Sequence, residues 1–194
     1  DATYGGDVYV EAGAPFRSGR ESREVFGESL AGLIFQHPLT GEILPASTGA
    51  GDSLIQASGY VLCLTDSAGN QAAWPEPERY DPSRYGALID YIRDSGADEP
   101  GDFVRLTRLP NRKWCVESHP DCPVSTGLPG GMQDWISDEP GAREAAERAH
   151  MEHLLGLFRF LRTDPAVPSH LREAFARLAP AADEFTGNSG LPRQ

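Results

Sequence analysis

His150 and His153 stand three residues apart, with Glu147 three residues before the first, an interval that gathers all three on one side of a helix. Carboxylate and imidazole at this spacing ligate metals in helical bundles, but such centres draw inward-facing carboxylates from several helices. Only one long amphipathic segment is present, so packed or capped histidines are the plainer reading. Cys115, His119 and Cys122, within WCVESHPDC, form a second grouping. A structural zinc site takes four ligands, and no fourth Cys or His is close in sequence. The same stretch leaves a Cys115–Cys122 disulfide open across its turn. No metal is expected.

Covalent chemistry has few footholds. There is no G-x-S-x-G nucleophile elbow, and Lys113, the single lysine, is the one candidate for a Schiff base. Two glycine-rich stretches, Ser47–Ser53 (STGAGDS) and Ser125–Gly131 (STGLPGG), could turn backbone N–H groups toward an anion. Neither ends in the Lys-Ser/Thr of a P-loop, so both also read as turns. Arg17, Arg20 and Arg23 interleave with Glu21 and Glu24, as a solvated ion-pair face would.

The elements that must position these groups are legible in part. Tyr60 to Leu64 is a continuous apolar run inside Ser53–Asp66, which predicts a strand in the middle of a sheet. Asp102–Pro110 alternates and predicts a second strand, followed by turns over Asn111–Gly131; a brief strand is expected at Glu42–Leu44. Asp81 as N-cap, Pro82 at the first position and Gly96 at the end frame a helix whose Tyr85, Leu88, Ile89 and Ile92 share a face. Ser137 is the expected cap of a long helix carrying Ala146, His150, His153, Leu154, Leu157, Phe158 and Leu161 along one stripe, stopped by Pro165. A shorter helix, Ser169–Leu178, follows as its partner. The fold class is α+β: a small mixed or antiparallel sheet with a C-terminal helical pair. The 194 residues are read as a single domain, strand- and loop-rich over 1–131 and helical over 132–194.

Seventeen basic against 29 acidic residues leave a net charge of −12, which repels phosphate backbones and anionic lipid and disfavours nucleic acid or membrane as partners. No stretch has the ~18 apolar residues of a membrane span. Cytoplasmic residence is favoured, with secretion left open.

Several segments, in order, resemble one family. DATYGGD at Asp1, GRE and GESLAG between Gly19 and Gly32, LCLTD at Leu62, PEPERYDPSRY at Pro75, LPN at Leu109, STGLPGG at Ser125, GLFRFLRTDPAVP at Gly156 and DEFTGN at Asp183 are similar to stretches of FAD-dependent oxidoreductases related to xanthan lyases. The resemblance implies that Asp1, Ala2 and Thr3 reach one edge of the flavin, and that Arg20, Glu21, Glu28, Ser125, Thr126, His150 and Asn188 face a small organic substrate. No G-x-G-x-x-G occurs, so the chain reads as the central portion of a larger flavoprotein, with FAD held chiefly by a flanking FAD-binding domain of the same polypeptide. It would be inactive alone, and homo-oligomers stay open. The rival is a self-contained carbohydrate-binding or interaction module built on Trp74, Trp114 and Trp135.

Overall fold

The computed structural model describes residues 12–15, 19–36, 40–55, 59–124, 126–133 and 140–192. The chain divides into two compact units, Asp1–Ser58 and Gly59–Gln194.

The first unit is knitted by backbone rather than by a core: among its described residues only Gly49 is buried. Arg20 and Asp52 exchange backbone hydrogen bonds of 2.9 and 3.2 Å, and Leu33 is bonded to both Gly49 and Ala50. Helix α1, Arg23–Phe26, starts where the Ser22 hydroxyl accepts from the Val25 N–H and stops at left-handed Gly27. Gly32, at φ 80°, lies so close to the Gly49 carbonyl that a Cβ would overlap it. The brief strand expected at Glu42–Leu44 amounts to a single bridge between Gln36 and Ile43. Too few residues pair there to propagate a ladder.

The second unit holds the sheet and the remaining helices. Strands β1 (Leu62–Thr65), β2 (Val104–Leu109), β3 (Lys113–Ser118) and β4 (Ala179–Pro180) are ordered β2-β3-β1-β4, and every pairing is antiparallel. As the unbroken apolar run of Tyr60 to Leu64 suggested, β1 is interior, although it spans only four residues. Strand β3 falls within the stretch read as turns. Its Asn111–Arg112 approach is a left-handed turn, after which Trp114 and Val116 alternate with Lys113, Cys115 and Glu117.

That alternation sorts the sheet into two faces. Leu62, Leu64, Val104 and Val116 join a cluster with Leu154, Leu157, Phe158, Leu161, Leu171 and Phe175 from the helices. The opposite face carries Cys63, Arg105, Thr107, Cys115 and Glu117, all of which keep accessible surface. At the β4 end of that face the Lys113 ammonium is buried between Asp183 (2.8 Å) and Glu184 (2.6 Å), tying β3 to the segment after β4.

The helices follow their caps. Asp81 accepts from the Ser83 N–H and opens a 3-10 turn, Pro82–Tyr85, which leads into α2, Ala87–Ser95, closed by left-handed Gly96. Helix α3 spans Ala142–Thr163 and α4 spans Ser169–Ala176, the expected C-terminal pair. The cap expected at Ser137 lies outside the described residues; the helix begins after left-handed Gly141. Trp74 stacks on Phe158 at 4.6 Å, and Phe175 meets both Phe158 and Phe103 edge-on, so aromatic contacts cross from helix to sheet edge.

Candidate functional site

Thr126 and His150, two of the residues implied by the resemblance, come together. His150 projects from the first half of α3 and is fully buried, with its ring edge-on to Tyr60 at 5.1 Å. Its Nε2 lies 3.1 Å from the Leu128 nitrogen and 3.2 Å from the Thr126 carbonyl oxygen, so it can accept from the one or donate to the other and fastens the Thr126–Leu128 turn in either tautomer. Burial, the largest influence, lowers the His150 pKa, with His153 adding to it and the Thr126 carbonyl opposing. A neutral ring fits this position.

Thr126 turns its hydroxyl to Ser118 at the end of β3, 2.8 Å away. Gly59 bridges Gly127 in antiparallel fashion, and a Cβ on Gly59 would sit 2.8 Å from Thr126 Oγ1 and 2.9 Å from Ser118 Oγ. Glycine is what lets the two hydroxyls meet. Beside them an open cleft of about 230 Å³ is lined by Gly59, Tyr60, Val61, Arg105, Glu117, Ser118 and Thr126. Arg105 and Glu117 are cross-strand partners on β2 and β3. Neither forms an ion pair among the described residues. The cleft therefore presents a guanidinium, a carboxylate and a hydroxyl pair on a rigid sheet, which can position a small polar molecule by complementary hydrogen bonds.

The other implied residues are placed as follows. Arg20 is committed within the first unit: its Nε reaches both Asp52 oxygens at 3.0 and 3.1 Å, and Nη2 also pairs with that carboxylate. The hydrogen bond from Arg20 lowers the Asp52 pKa. Glu21 and Glu28 are exposed in the same unit. The Asn188 amide is spent on the Leu191 and Pro192 carbonyls at 3.0 and 3.3 Å, fastening the C-terminal turn. Asp1, Ala2, Thr3 and Ser125 lie outside the described residues.

Other sequence candidates resolve into structure. The Ser47–Ser53 loop spends its amides on the chain itself, with Gly49 donating to Leu33, Asp52 to Arg20 and Ala50 to the Thr48 hydroxyl. Lys113, hydrogen-bonded first to Asp183 and then to Glu184, has its pKa raised, the opposite of what a Schiff-base amine needs. The three cysteines are free thiols, and Cys122 is buried in the core with its thiol donating to the Val124 carbonyl. No cluster of three or more metal-ligating side chains occurs among the described residues. The Trp74 ring is stacked on Phe158 and also contacted by the Arg162 guanidinium, so it is engaged within the fold. Trp114 is half-buried against the core, and Trp135 lies outside the described residues.

Nothing in the local sequence singles out Arg105, Glu117 or Ser118. The alternation of β2 places Arg105 away from the core, but the partner that builds the cleft is β3.

A dinucleotide is gripped where a strand passes through a glycine turn into a helix N-terminus within a parallel βαβ unit. Among the described residues every strand pairing is antiparallel, and no helix follows a strand in that way. No described helix is long and apolar enough to cross a membrane. A protein-family model for FAD dependent oxidoreductases matches residues 1–186. No curated protein and no solved structure matches the chain.

Proposed function

Because this chain belongs to the FAD dependent oxidoreductase family, we propose that it supplies the substrate-binding portion of such an enzyme, inactive alone and completed by an FAD-binding domain of the same polypeptide. The observation that carries this reading is the cleft at the Glu117–Ser118 end of β3, where Arg105 and Glu117 stand without ion-pair partners among the described residues beside the Ser118–Thr126 hydroxyls. Bound FAD supplies the electron transfer in this family. The chain's own residues bind and orient: Arg105 donates to an oxygen of the substrate, Glu117 accepts from a hydroxyl or amine, and His150 holds the Thr126–Leu128 turn so that the hydroxyl pair keeps its place. Asp1, Ala2 and Thr3 form one edge of the flavin site in this proposal.

Titrating the purified chain with FAD tests the division of labour. No stoichiometric binding is expected; flavin that stays with the protein through gel filtration in a one-to-one ratio would overturn it. In the FAD-loaded enzyme, Arg105→Ala is expected to raise KM about tenfold or more while leaving the flavin spectrum unchanged. An unaltered KM would remove Arg105 from the substrate wall.

A further inference from the structure

Cys63 on β1 and Cys115 on β3 are directly opposite each other in the sheet. The kind of pair they form follows from the third strand. The Cys63 carbonyl accepts from the Ala181 N–H at 2.9 Å, on the β4 side. Within an antiparallel strand the N–H and C=O of one residue point the same way, so neither backbone group of Cys63 is turned toward Cys115. The two therefore form a non-hydrogen-bonded pair, the closer of the two cross-strand arrangements, with Cα atoms about 4.5 Å apart. Disulfides span Cα separations of about 4.4–6.8 Å, so the bridge closes without moving the strands apart. Both side chains stand on the sheet face away from the helices, both are partly accessible, and both are free thiols. Cys122, by contrast, is sealed in the core.

We propose that Cys63 and Cys115 are a reversible redox pair that closes into a cross-strand disulfide by exchange with a low-molecular-weight disulfide. The thiolate of one cysteine attacks a sulfur of the small disulfide, forming a mixed disulfide and expelling one small thiolate. The second cysteine, as thiolate, attacks the protein sulfur of the mixed disulfide, forming the Cys63–Cys115 bond and expelling the second small thiolate. The two protein thiols are oxidised, the small disulfide is reduced to two thiols, and the two protons leave with them. Cys63 lies two residues after Val61 and Cys115 two before Glu117, so the bond would form next to the cleft on the same face. The pairing holds whatever that cleft binds.

Burial raises both thiol pKa values. Glu184 and Asp183 add to it at Cys63 against the pull of Lys113, and Glu117 adds to it at Cys115. Closure is therefore slow at neutral pH, and its rate rises about tenfold per pH unit until the attacking thiol ionises.

The test is to incubate the reduced protein with oxidised glutathione at mildly alkaline pH and map its peptides. The expected product has lost two hydrogens in mass, joins the peptides holding Cys63 and Cys115, and reverts with dithiothreitol. Cys122→Ser is expected to give the same product, while Cys63→Ser and Cys115→Ser stop at a glutathione adduct on the remaining cysteine. Because the wild-type map decides by itself, a poorly folding variant leaves the test intact. A persistent glutathione adduct on the wild-type pair, a bridge involving Cys122, or two unmodified thiols in the folded protein would each overturn the proposal.

Discussion

At the scale of single residues, His150 illustrates a conflict the fold has to carry. If Nε2 accepts from the Leu128 N–H, its proton sits on Nδ1, which has no partner among the described residues; if Nε2 donates to Thr126, the Leu128 N–H loses its acceptor. Either tautomer is neutral, and protonation would bury a charge. Since the folded pKa is lowered, the unfolded chain binds more protons below the ordinary histidine value, and the stability His150 contributes is present above about pH 6.5 and lost as pH falls through the folded value. Denaturant melts between pH 7 and 5 should show this loss, and His150→Gln should flatten it; an unchanged slope in the variant would assign the effect elsewhere. In the sequence, residue types suggest a metal for His150 and an anion for the loop holding Thr126; only the resemblance links the two to a substrate, because a buried histidine on an apolar stripe looks like core. Cys63 and Cys115 are 52 positions apart, and nothing local joins them.

At the scale of elements, the packing of α3 on the turn before α2 rests on an absent side chain. Gly156, in the middle of α3, faces Tyr85, whose hydroxyl donates to the His153 carbonyl at 2.9 Å. A Cβ at Gly156 would fall on that hydroxyl and 2.9 Å from the ring carbon bearing it. On helix propensity alone, Gly156→Ala would stabilise by about 1 kcal/mol. The clash decides otherwise, and we expect a net loss of about 1–3 kcal/mol in denaturant unfolding, partly recovered in the double variant with Tyr85→Phe.

Burial pushes the Tyr85 phenol up to about 12. The folded state therefore holds the phenolic proton longer than the unfolded chain, and stability falls as pH rises from 10 to 12, by about 2–3 kcal/mol over that window. Tyr85→Phe should remove most of this alkaline slope; a slope that persists would point to other tyrosines. The helices were legible because caps and 3.6-residue periodicity are local signals. Strand β3 was not, because Pro110, Asn111 and the WCVESHPDC stretch read as turn chemistry, and its six residues gain their meaning only from the partners on either side.

At the scale of the whole molecule, charge and packing are unevenly shared. A net charge of −12 repels itself, and raising salt from about 10 to about 150 mM shortens the screening length from about 30 to about 8 Å. The melting temperature is expected to rise over that range, since relief of this repulsion outweighs weakening of the few solvent-exposed ion pairs; a fall would reverse the order of the two effects. Gly59–Gln194 holds the buried apolar cluster, whereas the described part of the first unit holds almost none. Hydrogen exchange should therefore find the amides of β1, β3 and the second half of α3 protected longest, and those between Arg20 and Leu54 released early. The α+β class followed from composition and periodicity, but which sheet face stays open depended on pairings that only the folded chain reveals.

The borders of the sheet have a further consequence. On one side β4 is two residues long and includes Pro180, which has no N–H to offer; on the other, β2 ends the sheet with Arg105, Thr107 and Arg108 exposed. A proline and the two exposed arginines both discourage a foreign strand from docking. Crowded solutions of this acidic chain should thus stay free of fibrils seeded on this sheet, because among the described residues neither of its borders invites a template for growth.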